Sequence, residues 1–309
     1  MNPIAEELNK LKIDYLMESK RHKIYDSSGI DNKFKTFLLA DEWGNLFRDC
    51  AEILCTTGHS MASKNTTLSS KNSEMDYIYC ASQYYKTEFI NRGVMPKKDF
   101  VITGYPASDL IFNFRDEKVR GDRPRILIAP TYNRDLSIMD ALMRLEKEDK
   151  LFKSLEEFDI LFKLHPVLPK KYPEQMGFCR ELSSKYKNIT CIEDTHEDIA
   201  TSVLWADLMI GDSSGALLLG AAGDIPIIAY NNPNRQRSEY FDPTGPEWRF
   251  RGKFAAEILE STIELLPEII KIQLENDPLK DSRRSVVDLL FDHQGRAGKN
   301  IAGHIRSLL

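Results

Sequence analysis

The sequence lacks the marks of several protein classes. Its five cysteines, Cys50, Cys55, Cys80, Cys179 and Cys191, contain no C-x-x-C pair, which argues against a structural zinc site. Their odd number and apolar surroundings read instead as buried thiols in a reducing compartment. None of the six histidines stands four residues from another, so no helical metal-binding pair is present. No apolar run approaches the roughly 20 residues that span a bilayer. There is no excess of positive charge either: 42 Lys and Arg face 47 Asp and Glu, a net charge of -5, so the chain has no global reason to bind nucleic acid. Residues Met1 to Glu18 carry Glu6, Glu7, Lys10, Lys12 and Asp14 and no apolar core, so a secretory leader is not expected and the cytoplasm is the expected location.

What is present is a globular composition, 42% hydrophobic and 29% charged, over 309 residues, enough for two medium-sized cores. Short apolar runs alternate with longer helical stretches, as in doubly wound α/β proteins with parallel sheets. Nine runs are read as strands: Phe37–Ala40, Ile53–Thr56, Tyr77–Ala81, Phe100–Thr103, Ile126–Ala129, Ile160–Leu164, Ile189–Ile192, Leu208–Ile210 and Ile225–Tyr230. The charged stretch from Phe112 to Pro124 reads as the break between two Rossmann-like domains. The expected division is residues 1–115, a linker at 116–124, and 125–309 with terminal helices. From Phe254 onward, Ile258, Ile263, Leu266, Ile269 and Ile270 fit a helical period.

Open α/β sheets bind ligands at the carboxyl ends of their strands, so the polar residues that directly follow apolar runs carry the functional signal. Four such turns stand in the second half: Pro130-Thr131-Tyr132-Asn133-Arg134, His165-Pro166 preceded by Lys163, Gly211-Asp212-Ser213-Ser214-Gly215, and the turn containing Arg235. A helix starting at Ser213–Ser214 offers backbone N–H groups and two hydroxyls to a phosphate, and Gly215 allows close approach. The same residues also serve as ordinary helix caps. His165 can hold a phosphate, donate a proton or satisfy a loop carbonyl. Gly211 to Gly215 also matches the G-x-S-x-G elbow of serine hydrolases, with Asp242 and His293 following in a suitable order.

Ala129-Pro130-Thr131-Tyr132, Lys163-Leu164-His165-Pro166 and Ala206 to Ser214 followed by Asp224 to Tyr230 resemble, in order, the CDP-glycerol or CDP-ribitol phosphotransferases of teichoic acid synthesis. Cys80 to Tyr84 and Thr103-Gly104-Tyr105-Pro106-Ala107-Ser108-Asp109 resemble the same family. The resemblance implies a GT-B-like pair of Rossmann domains and transfer of an alditol phosphate from a cytidine-nucleotide donor to an acceptor hydroxyl, with no further cofactor. It implies that His165, Ser213 and Ser214 serve donor phosphates and catalysis. Pro130, Thr131, Tyr132, Lys163, Pro166, Asp212 and Gly215 would complete the donor site. His59 is the candidate base. Gly104, Asn133, Arg134, Arg235, Arg249 and Arg251 are candidate phosphate or acceptor contacts, since guanidinium forks bind phosphate bidentately. A lipid-linked or oligosaccharide acceptor and contact with the inner membrane face would follow. Transfer of a CMP-linked sugar and UDP-GlcNAc 2-epimerisation are the neighbouring alternatives on the same architecture.

Overall fold

The computed structural model describes residues 2–15, 34–40, 44–58, 60–61, 68–119, 121–192 and 197–309. The chain forms two compact units, one of residues 1–110 with 288–309, the other of residues 111–287. Each holds one parallel sheet.

In the first unit, β1 (Phe34–Leu39), β2 (Ala51–Thr56), β3 (Tyr77–Cys80) and β4 (Asp99–Ile102) pair in chain order. Register runs Leu38 against Cys55, Cys55 against Tyr77 and Tyr79 against Val101. Ile53, Cys55 and Tyr79 on one face pack against Leu8 of the helix Pro3–Lys10 and Ile301, Ala302 and Ile305 of the helix Ala297–Leu308. The last helix therefore belongs with the first sheet, not with the second domain as its place in the sequence suggests. The local cause is Asp109, whose buried carboxylate accepts from the backbone N–H groups of Ala297 at 2.9 Å and Gly298 at 2.7 Å. It satisfies two of the donors that a helix start leaves open.

In the second unit, β5 (Arg125–Ala129), β6 (Asp159–Phe162), β7 (Ile189–Cys191), β8 (Leu208–Gly211), β9 (Ile227–Asn231) and β10 (Ala256–Leu259) stand in the order β10-β9-β8-β5-β6-β7. Ile126, Ile128, Ile160, Phe162, Leu208, Ile210 and Ile228 are buried in its core, and strands buried on both faces read as near-continuous apolar runs. That is why the five strands expected in this unit are plain in the sequence; all nine expected strands are found, each within about two residues at either end except β1, which begins three residues earlier than read.

β10 was not expected. Ile258 pairs with Tyr230 as a strand residue, and the helical region begins only after the 3₁₀ segment Glu260–Leu265. One buried isoleucine satisfies either period, so the pattern alone could not separate strand from helix. The expected linker also begins inside structure, since Asp109–Phe114 is helical and Arg115–Glu117 a 3₁₀ turn. Among the described residues, no helix is long and apolar enough to cross a membrane.

Candidate functional site

The sheet order of the second unit reverses direction between β5 and β8. Chain segments after β5 move toward β7, and those after β8 move toward β10. Such a switch point opens a crevice at the carboxyl ends of the two strands, and the sequence places Pro130 to Arg134 and Asp212 to Gly215 there.

Asp212 ties the two loops together. It is fully buried, and its carboxylate accepts from Thr131 N at 3.0 Å, Ile138 N at 3.1 Å and Ser213 N at 2.8 Å. Burial pushes its carboxyl up to about 6, against the pull of those three N–H donors and of Arg251. Asn232, after β9, holds the same loop, donating to Ser137 O at 2.9 Å and Arg134 O at 3.2 Å. Asp212 is thus an organiser of the site whose lone pairs face the backbone.

Ser213 is also buried, with 1% of its surface exposed. Its hydroxyl donates to Glu247 Oε2 at 3.3 Å and accepts from Trp248 Nε1 at 3.1 Å. Ser214 is half-buried and caps the helix Gly215–Ala222, its Oγ accepting from Ala216 N at 3.1 Å. The two hydroxyls therefore diverge, one into the protein and one toward the helix start beside Gly215. A histidine would have to meet Ser213 in a hydrolase triad, and its hydrogen-bond partners are a glutamate and a tryptophan instead.

His165 follows β6, on the other side of β5 from Asp212. With strands about 4.8 Å apart, the turns after β6 and β8 lie roughly 10 Å apart along the same edge. Nδ1 of the half-buried His165 accepts from Val167 N at 3.2 Å, which assigns the proton of the neutral ring to Nε2. The ring lies 4.7 Å from that of Tyr132. Tyr132 in turn faces Tyr240 at 6.3 Å, and its hydroxyl is the main reason that the Tyr240 phenol is raised. Lys171 Nζ stands 5.2 Å from the Tyr132 ring and 5.5 Å from that of Tyr172. Lys163, Pro130 and Thr131 are buried beneath this edge, and Pro166 is exposed on it.

The remaining candidates divide. Arg235 is half-buried, its guanidinium 5.6 Å from the Trp248 ring and 5.9 Å from that of Phe241. Arg134 is exposed and paired through two nitrogens with Asp140, the shorter contact 2.6 Å. Asn133 closes its own turn by accepting from Asp135 N at 3.1 Å, and Arg249 is exposed. Arg251, expected as a phosphate contact, is 1% exposed: it pairs with Glu247 and donates to Asn231 Oδ1 and Tyr230 O, both at 2.8 Å. Its i,i+4 carboxylate keeps it inside. Gly104, in the first unit, was expected near phosphate as well. Its φ is +87°, and a Cβ there would stand 2.7 Å from Asp292 O, so glycine is required by packing. His59 lies outside the described residues.

Sequence reasoning missed Glu247, Trp248, Lys171 and Tyr240. The helix Pro246–Phe254, PEWRFRGKF, reads as a charged surface helix, and only the four-residue spacing of Glu247 and Arg251 hinted at a pair.

The sequence matches the family model described as CDP-glycerol:poly(glycerophosphate) glycerophosphotransferase over residues 51–306. No curated protein matches it. Among solved structures, the wall teichoic acid polymerase TagF is similar with a TM-score of 0.57 at 17% identity, covering 82% of this chain and 68% of that one. The Methanocaldococcus jannaschii UDP-GlcNAc 2-epimerase, in complex with UDP-GlcNAc and UDP, gives 0.62 at 14% identity, over 99% and 95%. The S. aureus MnaA–UDP co-structure gives 0.59 at 14%, over 98% and 85%. At such identities these likenesses establish the fold, two parallel α/β units of GT-B type.

Proposed function

Because the chain belongs to the CDP-glycerol:poly(glycerophosphate) glycerophosphotransferase family, we propose that the carboxyl edge of its second sheet binds CDP-glycerol for transfer of glycerol phosphate to a polymer hydroxyl. The acceptor oxygen attacks the β-phosphorus; the new O–P bond forms as the bond to the bridging oxygen breaks, and CMP leaves. The acceptor proton passes to a base, for which His59 is the candidate.

The observation that carries this reading is the placement of His165, Tyr132 and Lys171 on the same strand-end edge as the Ser214 helix start, with Asp212 bracing the loop between them. Phosphoryl transfer asks mostly for positioning and charge stabilisation. The Nε2–H of His165 and the Lys171 ammonium supply positive character where the donor's phosphates would lie. Ser214 and the first N–H groups of its helix supply further donors. Pro130, Thr131 and Lys163 shape the floor. Arg235, resting on two aromatic rings, is the arginine best placed to reach a phosphate, whereas Arg251 acts only from within. The acceptor is proposed to be lipid-linked, which would bring the protein to the inner face of the membrane.

The test is release of CMP from CDP-glycerol in the presence of a glycerol phosphate oligomer acceptor. Activity with a CMP-linked sugar and none with CDP-glycerol would overturn the assignment of the donor.

A further inference from the structure

Beneath the Asp212–Ser214 turn lies a chain of buried polar groups that the reaction itself does not call for. The helix Pro246–Phe254 presents Glu247, Trp248 and Arg251 together, at spacings that share one helical face. Glu247 is 0% exposed and Arg251 1%. One carboxylate oxygen of Glu247 pairs with Arg251, and the other accepts from the Ser213 hydroxyl at 3.3 Å. The Ser213 oxygen accepts from the Trp248 indole N–H at 3.1 Å. Arg251 is itself fastened to the end of β9 through Asn231 and Tyr230, and its guanidinium lies 4.2 Å from the Trp248 ring. Trp248 is half-buried, with the Phe241 ring edge-on at 5.0 Å and Arg235 at 5.6 Å. The network thus begins at a strand end, crosses a buried ion pair and finishes on a partly exposed aromatic ring beside the candidate phosphate-binding turn.

A buried ion pair is a poor way to gain stability, because desolvating both charges costs about as much as their attraction returns; apolar residues of similar volume would serve as well. What the pair supplies here is direction. A carboxylate accepts only, so it forces the Ser213 O–H toward itself and leaves the Ser213 lone pair for the indole N–H. With Glu247 ionised, one arrangement of hydroxyl and indole satisfies every group.

We propose that Glu247 is a positioning residue of the donor site, its carboxylate fixing the Ser213 hydroxyl and, through it, the Trp248 indole that with Arg235 walls the place of the donor's phosphates. The proposal rests on the reading of this edge as the CDP-glycerol site. Glu247 touches no substrate. Its effect passes through Ser213 and Trp248, and it is felt in donor binding more than in the chemical step.

The test uses the full chain and four proteins: wild type, Glu247→Gln, Trp248→Phe and Ser213→Ala. For each, CDP-glycerol affinity is measured by calorimetry without acceptor, tryptophan emission is followed during the same titration, and KM and kcat are taken with acceptor. The expected result is a KM and a dissociation constant for CDP-glycerol raised by about tenfold or more in all three variants, with kcat changed by less than about threefold. CDP-glycerol should also change the emission of the wild type and not that of Trp248→Phe. Glu247→Gln sets a neutral amide beside the buried Arg251, so its folding is checked by its melting temperature. Trp248→Phe and Ser213→Ala keep the ion pair, so they carry the test if Glu247→Gln does not fold. Affinities equal to wild type in those two variants would overturn the role of the network while leaving CDP-glycerol as donor. Wild-type protein that does not bind CDP-glycerol at all would overturn the donor assignment itself, and the inference with it.

Discussion

The carboxylate of Asp212 and the backbone N–H of Thr131 meet at 3.0 Å, joining the loop after β8 to the loop after β5 at the point where the sheet reverses its winding. Two further N–H groups, from Ile138 and Ser213, converge on the same carboxylate. Asp212→Ala would leave three buried donors without an acceptor. Each orphaned donor costs about 1–3 kcal/mol, so the substitution should remove several kcal/mol of stability. Urea unfolding of Asp212→Ala beside wild type measures it, and a loss below about 1 kcal/mol would show that the loop is held by other means.

Two buried acids give the protein an unusual response to pH. Burial is the first cause in both: it raises Asp212 to about 6 and, against the pull of the Arg251 charge and the Ser213 hydroxyl, Glu247 to about 7. A carboxyl raised on folding binds its proton more tightly in the folded than in the unfolded chain. Its contribution is therefore fully present below the ordinary carboxylate range and declines as pH rises through that range toward 6 to 7. Chemical denaturation between pH 4 and 7.5 should show this decline weakened in Glu247→Gln, which has no proton to lose. A difference between the two proteins that stays constant across this range would refute the assignment.

His165→Ala should lower turnover by about 10²- to 10⁴-fold, the usual worth of a placed acid–base group, with the melting temperature little changed because the ring is only half-buried. His165→Asn keeps a hydrogen-bond donor near the phosphates and cannot transfer a proton. Recovery of wild-type rate in the asparagine variant would assign His165 to phosphate binding alone.

How much of this was legible beforehand depended on which signal each residue carries. The strands of the second unit were plain because burial on both faces leaves uninterrupted apolar runs such as Ile126–Ala129. Asp212, Ser213, Ser214 and His165 were legible as polar residues at strand ends, a position that topology alone makes significant. Their individual roles were not, since Asp212 and Ser213 turn inward and nothing in a sequence distinguishes an inward hydroxyl from an outward one. Glu247 and Arg251 were hidden for a different reason. Charged residues are ordinarily exposed, and only the pairing that lets both be buried makes them an exception. The return of the last helix to the first sheet rests on Asp109, 188 residues before Ala297, a separation over which local pattern carries no information.

The helix that makes this return offers a test in which two opposing effects can be weighed at two glycines. Glycine in a helix interior costs about 1 kcal/mol relative to alanine, a gain open to Gly303 and much smaller at Gly298, the second residue of the helix Ala297–Leu308. At Gly303 nothing lies within 4 Å of an added Cβ, and Gly303→Ala should realise that gain. At Gly298 the added carbon would stand 2.7 Å from the backbone carbon and oxygen of Pro3, where the first helix crosses the last. Backbone atoms cannot swing aside as a side chain can, and relieving such overpacking costs about 1–3 kcal/mol, which outweighs the gain. Gly298→Ala should therefore destabilise the first unit while Gly303→Ala stabilises it. Melting temperatures that shift in the same direction for both would show that the two terminal helices do not pack as closely as the contact at Pro3 requires.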